Sequence, residues 1–144
     1  MTASTTFSPS SRTATAGSAR RRIRALTVGA AIVAASAVWF VASALGVDFH
    51  LADGQGEVVL TLPIIAGFTL VCSALGWAAL ALFEHFTPSA AKIWSALATA
   101  VLVLSFVPIF LEHATVGTEI SLVLVHLAVG VVLIPRLPKT TSRG

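Results

Sequence analysis

His126 is the one ionisable residue set deep inside an apolar run, "SLVLVHLAVGVVLIP", Ser121 to Pro135. Glu119 lies seven positions before it. Seven residues are nearly two helical turns, so in a helix the two share a face, with His126 about 10 Å deeper along the axis. Val123, Gly130 and Leu133 fall near that face. A carboxylate at a mouth with an imidazole within suits proton movement or ligand binding, and an ionisable group in hydrocarbon is a functional candidate by default. At similar depth in other runs lie Ser36, Trp39, Gly67, Thr69 and Ser105, and Ser105 is the candidate polar partner. The structural alternative is a neutral imidazole hydrogen-bonded to Ser105 or to a backbone carbonyl across helices, worth about 1 kcal/mol. That alternative fits better, because a proton path needs several ionisable groups in series. No other apolar run carries an acid or base near its middle.

A second constellation lies in two polar segments. "DFHLADGQGE" carries Asp48, His50, Asp53 and Glu57, and "LEHATVGTE" carries Glu112, His113 and Glu119. Imidazoles and carboxylates are ligands for Zn²⁺ and similar cations. Their spacing matches no standard ligand motif, so no metal site is expected. Cys72 is the only cysteine, which excludes an internal disulfide and dithiol chemistry. A single buried histidine supplies one axial haem ligand, and a second would have to come from another copy. Phosphate loops, nucleophile elbows and metalloprotease motifs are absent. The expectation is therefore a non-enzymatic protein without a cofactor.

The elements that position these residues follow from composition. The chain has 144 residues, 56% hydrophobic and 10% charged, with a mean hydropathy of +0.93. A soluble domain carries roughly 25% charged residues, so this composition implies an integral membrane protein whose first partner is the lipid bilayer. The basic residues flank apolar runs and form no groove-reading motif, which argues against nucleic acid. A hydrocarbon core of about 30 Å takes about 20 helical residues. Four runs are long enough: 25–47, 62–83, 90–111 and 118–135. Backbone amides cannot stay unpaired in lipid, so each is expected to be helical. Residues 1–24, Ser- and Thr-rich and ending in "RRRIR", read as a disordered basic tail. Residues 138–144 read as a short C-terminal tail, leaving 25–137 as the membrane domain.

Boundary residues refine the picture. Thr87 and Pro88 read as N-cap and first residue of the third span, and Thr118 as N-cap of the fourth. Glu119 then suits the positive helix end. Pro63 fits the first turn of the second span. Pro108 is expected to kink or loosen the third. Pro135 and Pro138 are expected to close the fourth.

Orientation follows from the basic residues. With four alternating spans, the first tail, the segment near Glu84–Lys92 and the last tail share a side. They hold all nine Lys and Arg, and the other side holds five of the six acids. The expectation is an antiparallel four-helix bundle in the plasma (inner) membrane with both termini cytoplasmic. "ASA", Ala42–Ala44, resembles a signal-peptidase site, but its run is longer than a signal's 7–15 apolar residues. Small residues crowd the first two spans, including Cys72 and Gly76 at small-x-x-x-small spacing, and packing within one bundle explains them better than a dimer face. Trp94 beside Lys92 reads as an interfacial anchor, whereas Trp39 and Trp77 read as packed between helices.

Four blocks carry a resemblance: "ALGVDF" after the first span, "GWAALALFE" closing the second, "AKIWSALATAVLVLSF" in the third and "HLAVGVVLIPRL" in the fourth. Together they resemble a family of small, uncharacterised four-span membrane proteins of actinobacteria, over about Ala25 to Leu137. The resemblance implies a four-helix membrane domain and no activity. Two functional readings remain. The first is an accessory or interaction protein whose partner is a second copy or another membrane protein. The alternative is an oligomeric small transporter or channel using His126 and Glu119. In size and span number the chain is similar to small multidrug transporters, but those rely on a carboxylate in the first span, which is lacking here.

Overall fold

The computed structural model describes the backbone of residues 10–53, 56–111 and 114–141, and within these the side chains of 17–50, 58–111 and 114–141. Helix α1 spans Ser10–Ala44, α2 Leu62–Phe86, α3 Ala90–Leu104, α4 Phe106–Leu111 and α5 Val116–Arg136. A 3₁₀ turn, Pro138–Thr140, follows. Four helical stretches, Gly17–Ala44, Leu62–Phe86, Ala90–Leu111 and Val116–Thr140, are long and apolar enough to cross a membrane. Strands β1, His50–Asp53, and β2, Gly56–Val59, pair antiparallel between α1 and α2.

Several boundaries differ from the sequence reading. Residues 10–24, expected as tail, belong to α1. Extending an existing helix adds a hydrogen bond per residue without a new nucleus, and the stretch is rich in Ala and Arg, both good helix formers. Residues 1–9 lie outside the described residues. At its other end α1 stops at Ala44 and not Val47. Gly46 takes φ 83°. The Val47 N–H donates to the Ala42 carbonyl at 3.1 Å and the Gly46 N–H to Ser43 at 3.0 Å, the paired bonds of a Schellman ending.

Span three is one stretch in two pieces. Pro108 has no N–H to offer the Leu104 carbonyl and its ring crowds that group, so the ladder breaks between Leu104 and Phe106. Its start is Ser89–Ala90 and not Thr87–Pro88. Thr87 instead stops α2, its N–H donating to Phe83 at 2.9 Å, while its hydroxyl accepts from the Ser89 N–H at 3.2 Å. The fourth span is capped by Thr115, whose Oγ1 accepts from the Thr118 N–H at 3.3 Å. Thr118 lies one turn inside. Pro135 falls within α5, where only the last turn is affected, and Pro138 marks the change to the 3₁₀ turn.

Two hydrophobic clusters hold the helices together. Ala35, Ile65, Ile109, Leu122 and Val125 form one, and Leu80, Trp94 and Leu137 the other. Ala31 and Ala35 of α1 are fully buried, so these two small residues serve close packing between the helices, while Ala30 and Ala37 face outward.

At one end, the start of span one, the end of span two and the 3₁₀ turn meet. Arg24, only 4% exposed, donates through Nη2 to Glu84 Oε1 at 2.5 Å and through Nε to Thr140 Oγ1 at 2.7 Å. At the other end, Thr118 Oγ1 donates to the Asp48 carbonyl at 2.7 Å. Trp39 Nε1 donates to the Leu60 carbonyl at 2.9 Å, and its ring stacks on Phe49 with centroids 5.9 Å apart.

Candidate functional site

The two-helix face of α2 and α3 over α5 leaves a half-open cleft of about 720 Å³. Its walls are apolar side chains such as Ile64 and Phe68 of α2 and Leu97 and Val101 of α3. Its floor is α5, including Val125, His126 and Val129. Near the α2–α3 connection the walls are pinned together. Trp94, 3% exposed, donates its Nε1–H to the Gly76 carbonyl at 2.7 Å. The Trp94 ring packs on Gly76, where a Cβ would lie 3.6 Å away, at ordinary contact distance. Trp94 is thus a buried clamp and not an interfacial anchor, and the small residue Gly76 serves packing within the chain. From the clamp the cleft runs past Ser105 and Pro108 toward Leu60.

The floor and far wall also touch closely. A Cβ on Gly130 would lie 2.7 Å from Leu102 Cδ2, so the end of the Leu102 side chain fills the space that Gly130 leaves.

Few polar groups reach the cleft, and their protons are already committed. His126 Nδ1 lies 2.8 Å from the Leu122 carbonyl, one turn back in its own helix. A carbonyl only accepts, so Nδ1 carries the proton, and in the neutral ring Nε2 carries the lone pair. Phe106 meets the imidazole edge-on, with centroids 6.4 Å apart. Ser105 Oγ donates to the Leu102 carbonyl at 2.6 Å, and Thr69 Oγ1 to Ile65 at 2.8 Å. Thr and Ser hydroxyls commonly bond back to the preceding helical turn in this way.

Of the expected site residues, Ser105 and His126 line the same cleft, with Thr69, Gly130 and Leu133. Each polar group bonds its own helix, so the expected cross-helix bond from His126 to Ser105 is not made. Glu119 lies in the first turn of α5 and is not among the lining residues. Trp39 is engaged by Leu60 and Phe49 instead. Among the described residues no three His, Cys, Asp or Glu side chains gather as a metal site. Glu112 and His113, and the side chains of Asp53 and Glu57, lie outside them.

Two features escaped the sequence reading. Glu84 and Arg24 form a part-buried ion pair. The signal was present: Glu84 is the single acid among the segments that hold all nine basic residues. The strand pair is the second: Asp53 pairs with Gly56, and the Gly54-Gln55 sequence between them is of the Gly-X kind that marks two-residue hairpins.

A mainly helical chain with four membrane-length helices and a nearly apolar cleft defines a helical membrane protein by length and composition. The chain belongs to a family of unknown function, DUF6069, whose model matches residues 15–143. No curated protein and no solved structure matches it.

Proposed function

We propose that this chain is a non-enzymatic membrane protein that works by holding another molecule in its cleft, an accessory and not a catalyst. The reading takes the four helices as an antiparallel bundle in the plasma membrane with both termini cytoplasmic. Its support is the charge distribution: the two tails and the segment near Glu84–Lys92 hold all nine Lys and Arg, and Arg24, Glu84 and Thr140 of those three segments meet at one end. Labelling of single cysteines at Ser18 and Lys139, in a Cys72→Ser background, tests it. Both react from the cytoplasmic side only, and reaction from opposite sides refutes the arrangement.

One observation carries the functional part: among the described residues that line the cleft, His126 is the one basic side chain and none is a carboxylate. A lone imidazole without a neighbouring acid forms no relay, whereas a largely apolar pocket with few polar groups is the usual form of a binding site. A photo-crosslinking residue at Val101, on the cleft wall, is expected to yield an adduct in native membranes. The same residue at Val33, exposed on α1, is expected to yield none. Equal labelling from both positions refutes a role for the cleft. The alternative transporter predicts His126-dependent proton flux in vesicles, and detecting such flux would overturn the accessory reading. A membrane protein partner or a second copy would be recovered as a crosslinked species of increased mass.

A further inference from the structure

The hydrogen-bonding character of the cleft identifies what it can recognise. Thr69 and Ser105 direct their hydroxyl protons to carbonyls of their own helices. His126 does the same with its Nδ1 proton. Trp94 spends its indole proton on Gly76. The cleft therefore shows lone pairs and almost no protons: the hydroxyl oxygen of Ser105 and, in the neutral ring, Nε2 of His126. Only the Cys72 thiol, a weak donor, departs from this pattern. Among the described residues no donor reaches Nε2. His126 also stands on the floor with Phe106 against its ring, and rotating it outward would break the Leu122 bond. The acceptor is thus held in place.

We infer that the cleft binds an elongated apolar molecule bearing a hydroxyl group, a lipid-soluble alcohol or phenol, whose O–H donates to His126 Nε2. The inference rests on the reading of the cleft as a binding site and adds the chemistry of its ligand. A carbonyl, ether or plain hydrocarbon offers no proton, so it gains nothing from His126. In a site without competing water, a donor that meets this acceptor gains a full hydrogen bond. The volume, about 720 Å³, lies within the range of roughly 300–1,000 Å³ that suits such ligands. The length fits as well. From Ile64 to Ala79, both lining residues, α2 rises about 22 Å at 1.5 Å per residue. A chain-like molecule can lie along it with its hydroxyl at the level of His126.

Cys72 lines the cleft and is exposed, which makes the unaltered chain its own reporter. The full-length protein in lipid nanodiscs is treated with a membrane-permeant maleimide while a long-chain 4-alkylphenol is titrated into the bilayer. The matched probe is the methyl ether of the same phenol, identical except for the O–H. The phenol protects Cys72 at a mole fraction about tenfold lower than the ether does, a ratio that corresponds to about 1.4 kcal/mol. In His126→Phe the two probes become equivalent, and in His126→Gln, which restores an acceptor, the phenol regains its preference. Equal protection by both probes in the unaltered protein overturns the inference and leaves an apolar filler only. A preference that survives His126→Phe overturns it too. Protection by neither probe removes the cleft as a binding site for such molecules. The probe comparison in the unaltered protein decides the matter even if a variant misfolds. A missing crosslink at Val101 with a clear phenol preference would refute the native-membrane reading alone.

Discussion

The Arg24–Glu84–Thr140 cluster offers the sharpest energetic test. Arg24 has a side chain only 5% exposed, and Glu84 is 17% exposed. The guanidinium is held by one charged and one neutral hydrogen bond. Glu84→Ala leaves that charge buried with only the Thr140 hydroxyl as partner. Breaking a buried pair from one side costs about 3–5 kcal/mol, and the residual exposure of Glu84 places this case near the lower bound, about 3 kcal/mol. Replacing both members with apolar residues removes the stranded charge as well as the attraction. Arg24→Met with Glu84→Leu should therefore return to within about 1.5 kcal/mol of the parent. The assay is reversible unfolding in mixed micelles with increasing SDS, followed by helical circular dichroism and tryptophan fluorescence. A double-mutant cycle then gives the coupling directly. A Glu84→Ala cost under about 1 kcal/mol would mean that water already solvates Arg24. A double variant no better than Glu84→Ala would mean that packing, not the stranded charge, sets the loss. Either result refutes the reasoning.

Three further outcomes can be checked by the same unfolding measurement. Thr118→Val removes the bond to the Asp48 carbonyl and the contact to Thr115 Oγ1, and should cost about 1–2 kcal/mol, whereas loss below about 0.3 kcal/mol would show that water replaces it. Trp94→Phe keeps an aromatic ring but removes the donor to Gly76 and part of the buried indole; a loss of about 2 kcal/mol with faster Cys72 alkylation is expected, and unchanged alkylation would show that the clamp does not set the cleft's width. Gly130→Ala puts a methyl against the end of the Leu102 side chain, which must shift, while the helix gains about 0.5–1 kcal/mol from losing a glycine; a net change within about 1 kcal/mol is expected, and a loss above about 2 kcal/mol would show that Leu102 has no room to move.

Length and hydropathy were enough to find four spans, because the need to pair every backbone amide in lipid leaves helices as the only outcome for such runs. Pro108 likewise announced the break in span three. Side-chain direction was harder. The helical repeat placed Gly130 and Leu133 near His126, and the three do share the cleft. It put Glu119 two turns shallower, at the mouth, and Glu119 lies in the first turn of α5, outside the cleft's lining. Trp94 was misread because Trp beside Lys occurs both at interfaces and at clamps, and only the neighbouring Gly76 carbonyl decides between them. Whether an imidazole bonds across helices or back along its own turn depends on its rotamer, which composition does not encode. The Arg24–Glu84 pair joins residues 60 positions apart, and only the arrangement of the helices brings them together.

Helix α1 is 35 residues long, about 52 Å at 1.5 Å per residue, against a hydrocarbon layer of about 30 Å. With Arg24 at the proposed membrane edge, the turns from Ser10 to that residue stand about 20 Å clear of the acyl chains. Whatever engages the leading end of this protein would meet it as a short mast beyond the headgroups, with Arg20, Arg21 and Arg22 as its cationic footing.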